Sequence, residues 1–253
     1  MIKFDRYQLS NGLTVILHQD MSTPLVAVNV LYKVGSKNED PNKTGFAHLF
    51  EHLMFGGSAN VPDYDTPIQD AGGENNAFTN SDLTNFYNIM PKENLETALW
   101  LESDRMLQLD FNQTSLDIQK KVVVEEFNET CINQPYGDLW HELSDLSYKV
   151  HPYRWPTIGI KPAHIENASL NDVESFFNDY YQASNAVLVL AGNFETGRAK
   201  SLVEKWFGSI PSKSTNKKTI PLEPVQNENR KKSKELMNKT KRRFKEKRRS
   251  CLL

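Results

Sequence analysis

The chain is 253 residues long, 38% hydrophobic and 25% charged, with 12 Gly and 12 Pro. That length suits one large domain or two small ones with a sizeable core, and the composition excludes a collagen-like chain, a coiled coil and a globally disordered polypeptide. The net charge of −2 hides an uneven distribution: residues 230–253 hold 12 Lys/Arg against 2 Asp/Glu, a surplus of ten positive charges, which leaves positions 1–229 at −12.

The longest apolar runs, residues 26–32 and 186–191, are strand-sized and far below the roughly 18 residues that cross a bilayer, so no membrane span is expected. Two cysteines, Cys131 and Cys251, cannot build a disulfide framework and suit a reducing compartment. The N-terminus lacks the apolar stretch of a secretory signal, and Cys251 is third from the end where prenylation needs the fourth. The expected location is therefore cytoplasmic.

Along the chain, residues 4–9 and 13–18 read as two strands around a type I′ turn at Asn11-Gly12, and residues 25–34 as a third strand. A polar loop leads to a helix over 45–55, where Phe46, Leu49, Phe50, Leu53 and Met54 recur at helical spacing before Gly56-Gly57. A short helix over 63–71 precedes a hairpin of residues 75–79 and 83–90. Helices follow over 95–107, 116–131 and 136–148, then an aromatic loop at 151–156, a helix over 170–181, a buried strand over 186–191 and a helix over 197–207. Hairpin strands mixed with helices, without regular βαβ alternation, predict an α+β fold with a mainly antiparallel sheet. Residues 1–210 form the expected domain, 211–229 a linker and 230–253 a basic tail, too poor in apolar residues to bury a helix and expected to be disordered.

The chemistry concentrates in His48-Leu49-Phe50-Glu51-His52. On a helix, positions i and i+4 stack about 40° apart with i+3 on the same side, so His48, Glu51 and His52 share one face. Two imidazoles so placed can hold one tetrahedral Zn²⁺, and the carboxylate beside them can hydrogen-bond a metal-bound water, which is the inverted zinc-protease pattern. With 6 His and 18 Glu in the chain, chance supplies roughly 0.01 such patterns. The interleaved apolar residues imply a largely buried helix, where two unpartnered imidazoles would be costly.

A third protein ligand is needed, and Glu125, Glu126 and Glu129 are the candidates. Glu126 follows Val122 and Val123 on the expected inward face, Glu125 follows Lys121 toward solvent, and Glu129, one turn beyond Glu126, could ligate or support a ligand. His18, His141, His151 and His164 read as structural histidines, and Trp100, Trp140, Trp155 and Trp206 as core residues.

With these residues in view, the chain resembles the pitrilysin family of zinc metallopeptidases, the M16 or insulinase type, and particularly its short bacterial members and the mitochondrial processing peptidases. The resemblance spans about residues 3–228. It is carried by Leu9-Ser10-Asn11-Gly12-Leu13, the Gly45 to Gly57 segment, Asn76-Ala77-Phe78-Thr79, the Val122 to Glu126 segment, Asn133-Gln134-Pro135-Tyr136-Gly137, His151-Pro152-Tyr153 and Gly192-Asn193-Phe194. It implies a LuxS/M16-like domain with Zn²⁺ held by His48, His52 and Glu126, and an endopeptidase in which Glu51 activates a zinc-bound water. It also implies an edge strand at residues 75–79 that receives a peptide substrate as an added strand, with Asn76, Ala77 and Phe78 as substrate-binding residues. Family enzymes pair two such domains, so a second M16-type domain or subunit is the expected partner, with no membrane or nucleic acid. The alternative is a non-catalytic or truncated half-subunit that needs such a partner for activity.

Overall fold

The computed structural model describes residues 2–211 and 219–233. Among these residues six strands, β1 (Asp5–Gln8), β2 (Thr14–Gln19), β3 (Leu25–Tyr32), β4 (Glu74–Thr79), β5 (Thr84–Pro91) and β6 (Ala186–Gly192), form one sheet in the order β1-β2-β6-β3-β5-β4. All neighbours are antiparallel except β2 and β6, so the mainly antiparallel α+β expectation holds. The parallel pair arises because β6 returns from far along the chain to a central slot. Its run Ala186-Val187-Leu188-Val189-Leu190 suits a strand with neighbours on both sides.

Alternation sets the faces. Val26, Val28, Val30 and Tyr32 of β3, Phe86 and Met90 of β5, and Leu188 and Leu190 of β6 are buried on one face, while their alternate neighbours are mostly half-buried on the other. Among the described residues eight α-helices follow in chain order: α1 (Phe46–Phe55), α2 (Asp65–Asp70), α3 (Leu95–Leu107), α4 (Gln113–Phe127), α5 (Leu139–Ser147), α6 (Ala163–Glu166), α7 (Leu170–Tyr180) and α8 (Thr196–Phe207). Helix α3 packs on β3, β5 and α8, and α1 packs between α4 and β4.

Several local expectations shift. The Asn11-Gly12 turn is not type I′, because only Gly12 has positive φ (+90°). Gly12 N–H donates to Leu9 O at 2.9 Å and Leu9 N–H to Leu13 O at 3.0 Å, a wider loop. Asn11 is buried and occupied elsewhere: its amide donates to Phe207 O (2.7 Å) and Ile210 O (3.1 Å), clasping the end of α8. Helix α4 starts three residues earlier than expected because Asn112 caps it, accepting from Ser115 N–H at 2.7 Å. After Phe127 it widens into a π-helical turn, Asn128–Ile132. Tyr136 adopts φ +62°, which delays α5 to Leu139. Trp140 is 66% exposed rather than core, whereas Trp155 is buried.

Beyond Ile210 the described residues 219–233 run without regular structure along α5 and the loop after it. The Glu223 carboxylate accepts from the N–H groups of Lys149, Val150 and His151 (2.8, 2.8 and 2.9 Å), which draws its pKa down to about 2. Arg230 donates to Leu146 O at 2.9 Å. Residues 212–218 and 234–253, covering part of the expected linker and most of the basic tail, lie outside the described residues. No helix among the described residues is long and apolar enough to cross a membrane.

One polar cluster sits inside the core. Glu102 and Arg105, both essentially inaccessible, are ion-paired one turn apart on α3. Glu102 accepts from the Asn88 amide of β5 at 2.6 Å and from the Tyr64 hydroxyl at 3.0 Å, while the Arg105 guanidinium lies 4.3 Å from the ring centroids of Tyr64 and Phe86. Removing one partner strands a buried charge. Glu102→Ala is therefore expected to lower unfolding free energy by about 3–5 kcal/mol in urea titrations, well beyond the loss from an exposed pair such as Lys200–Asp5.

Candidate active site

Helix α1 begins at Gly45, whose φ of +90° favours glycine and which has no side chain to cap the helix. A carboxyl group from the preceding loop does so instead. Buried Glu39 accepts from Gly45 N–H and Ala47 N–H, both at 2.9 Å, satisfying donors of the first turn. The fit is close on the other side as well, since a Cβ on Gly45 would lie 3.0 Å from Ile158 O. Thr44 fixes that neighbouring loop by accepting from Ile160 N–H at 2.8 Å. Trp155, in the same loop, donates its indole N–H to Ser36 O at 3.0 Å.

So oriented, α1 buries Phe46, Ala47, Leu49, Phe50, Leu53 and Met54 and turns His48, Glu51 and His52 toward α4 and β4. Glu126 meets the two histidines from the end of α4. The three atoms His48 Nε2, His52 Nε2 and Glu126 Oε2 form a triangle with edges of 3.3 Å between the imidazoles and 3.5 and 3.4 Å to the carboxylate. A tetrahedral ion with ligands at about 2.0–2.1 Å separates them by about 3.3–3.4 Å, so the triangle matches a single cation. These are the residues among those described that could jointly hold a metal ion. Burial lowers the His48 pKa, which favours the neutral imidazole that a metal requires, and the hydrogen bond from His52 lowers that of Glu126, which favours its carboxylate.

Glu125 and Glu129 are exposed and stand outside the triangle, whereas Glu126 is half-buried. The expected inward face of α4 is carried by Val123 alone of the two valines, since Val122 is 46% exposed. Glu51 projects from the same face of α1, and its Oε2 accepts from the Thr79 hydroxyl at 2.5 Å.

Strand β4 is the sheet's edge, and its alternation divides the expected substrate residues. Ala77 lies on the helix-covered face, paired with Phe86, whereas Asn76 and Phe78 are exposed on the opposite face. His48, Glu51, Glu126, Ala77, Phe78 and Thr79 line one open cleft, joined by Thr157 and Ile158. Thr157, Ile158 and the Glu39 cap were not visible in the sequence, because they reach the site through loop packing. The remaining histidines are structural: His18 Nδ1 pairs with Lys3 O, His141 Nε2 with Gly159 O and His164 Nδ1 with Thr44, while His151 Nδ1 accepts from Tyr153 N–H.

Residues 14–147 match the family model described as Insulinase (Peptidase family M16), and residues 167–245 match one described as Peptidase M16 inactive domain. The chain belongs to the M16 peptidase family. The second match extends into the stretch read from sequence as the basic tail. The chain is 33% identical to the Zinc protease PqqE of Helicobacter pylori (strain ATCC 700392 / 26695), over 87% of this chain and 49% of that protein. It is 25% identical to the Mitochondrial-processing peptidase subunit beta of Saccharomyces cerevisiae (strain ATCC 204508 / S288c), over 81% of this chain and 44% of that one. The fold superposes on the crystal structure of a protease from Helicobacter pylori with a TM-score of 0.81 at 32% identity, over 89% of this chain and 54% of that one. The chain thus spans about half the length of the relatives it matches.

The Glu39 cap gives a pH signature. Burial outweighs the backbone donors and pushes its carboxyl from 4.5 up to about 8. A pKa raised on folding stabilises fully below the unfolded value, and that contribution is lost as pH rises through about 8. Urea titrations of the metal-free chain are expected to show wild type losing about 1 kcal/mol more than Glu39→Gln between pH 7 and pH 9. Equal losses would mean that Glu39 does not ionise in that window.

Proposed function

We propose that this chain is the catalytic half of a zinc-dependent endopeptidase acting on peptides or unfolded segments, with zinc held by His48, His52 and Glu126. The observation that carries the reading is the ligand triangle, closed to a tetrahedral edge length, with the Glu51 carboxylate on the same helix face. Two imidazoles and one carboxylate, with a fourth position left open, form a donor set suited to catalytic zinc. The zinc-protease names of the relatives support that metal.

When bound, zinc polarises the scissile carbonyl and makes water at the open position more acidic. Glu51 takes the proton of the attacking water and returns it to the amine nitrogen as the C–N bond breaks. The open edge of β4 supports the substrate as an added strand, whose main-chain pairing tolerates many sequences, with Asn76, Ala77 and Phe78 flanking the bond to be cut. The two-cysteine composition supports a cytoplasmic setting.

A second reading has two observations in its favour: the chain spans about half of relatives such as the Helicobacter pylori protease, and the cleft is open. On that reading the chain is a half-subunit whose activity needs a second M16-type domain or partner chain.

Metal analysis and peptide cleavage test both. The full chain is expected to carry one zinc, to lose it in His52→Ala and Glu126→Gln, and to keep it in Glu129→Gln. Glu51→Gln is expected to retain zinc while cleavage of unfolded peptides falls by about 10²–10⁴-fold. Cleavage unchanged in Glu51→Gln would refute the enzyme reading, and zinc binding with cleavage only after adding a second M16-type half would favour the half-subunit.

A further inference from the structure

The contact between Thr79 and Glu51 links two parts of the site that the sequence keeps 28 residues apart. Thr79 ends β4 and Glu51 lies on α1, so the bond forms only because α1 docks on the edge strand. The hydroxyl commits Glu51 Oε2 at 2.5 Å. The bond takes one of the carboxylate's acceptor positions and restrains its rotation, leaving the others to accept a proton.

The main chain of Thr79 points another way. Asn80 N–H donates to Leu83 O at 3.0 Å, making these two a hydrogen-bonded pair. Bonded and non-bonded pairs alternate along an antiparallel ladder. With Thr79 opposite Thr84, Phe78 opposite Asn85 and Ala77 opposite Phe86, the peptide groups of Phe78 face β5 while those of Ala77 and Thr79 face the open edge. The Ala77 N–H agrees, donating at 2.8 Å to its neighbour's Asn76 Oδ1.

We propose that Thr79 is a positioning residue that couples substrate pairing to proton transfer. Its main chain offers the edge hydrogen bonds that an added peptide strand takes, and its hydroxyl holds the Glu51 carboxylate in the orientation from which it receives the proton. The inference rests on the metallopeptidase reading and deepens it by making docking and base alignment properties of one residue. A peptide long enough to pair through Thr79 steadies the residue that aligns the base. Peptides too short to reach it bind without that alignment.

Thr79→Val keeps the shape and removes the hydroxyl, and Thr79→Ser keeps the hydroxyl. In the full zinc-loaded chain, Thr79→Val is expected to lower kcat about 10–100-fold with KM, zinc content and melting temperature unchanged, and Thr79→Ser to recover most of the loss. A role confined to packing would leave kcat intact in Thr79→Val or would fail to be rescued by serine, and either result overturns the proposal. If wild type cleaves and Glu51→Gln does not, a normal kcat in Thr79→Val sinks this inference alone. If wild type cleaves nothing, the catalytic reading of the isolated chain fails and crystal structures of wild type and Thr79→Val decide. A Glu51 carboxylate displaced in the valine variant supports positioning by Thr79, and one left in place contradicts it.

Discussion

The site depends on how α1 is started. A helix that begins at a left-handed glycine has no capping side chain of its own, and here the donors of its first turn fall to the buried Glu39. That carboxyl group sets the position of the helix's first turn, which holds His48. The close backbone approach at Gly45 then admits the loop that brings Thr157 and Ile158 to the cleft. With the start fixed and the apolar face packed, 3.6-residue periodicity leaves His48, Glu51 and His52 one direction in which to point. The triangle closes because α4 lies against α1 and ends its regular turns at Phe127, one residue past Glu126.

The edge strand supplies the second half of the arrangement. Strand β4 is last in the sheet, so one row of its peptide groups has no strand partner, and the α1 face carrying Glu51 sits beside that row. A peptide laid along the edge would pass His48, His52, Glu126 and Glu51 together. Asn76 meanwhile covers the Ala77 N–H, an arrangement that blunts an edge otherwise open to unwanted pairing. The chain belongs to the M16 family and spans about half of the Helicobacter pylori protease it resembles.

Much of this was legible in the sequence because it is local. The His48–His52 spacing is a helical pattern, and Glu126 follows from the run of valines ahead of it, even though Val122 itself turns outward. The strand pattern gave the sheet's elements, but the parallel β2–β6 pairing depends on a contact across some 170 residues that periodicity cannot report. Tyr136 in a left-handed conformation and Trp140, exposed on α5, defeated residue-type expectations. Glu39 carries no capping motif relative to α1, and the role of Thr79 becomes visible only when α1 docks on β4. Both are long-range consequences of packing, and both act on the residues that the motif makes obvious.

The most direct measurement is anomalous diffraction at the zinc edge from crystals of the full chain grown with zinc. One strong peak is expected about 2.0–2.2 Å from His48 Nε2, His52 Nε2 and Glu126 Oε2. A peak coordinated by Glu129 in place of Glu126, or no peak between the two histidines, would contradict it.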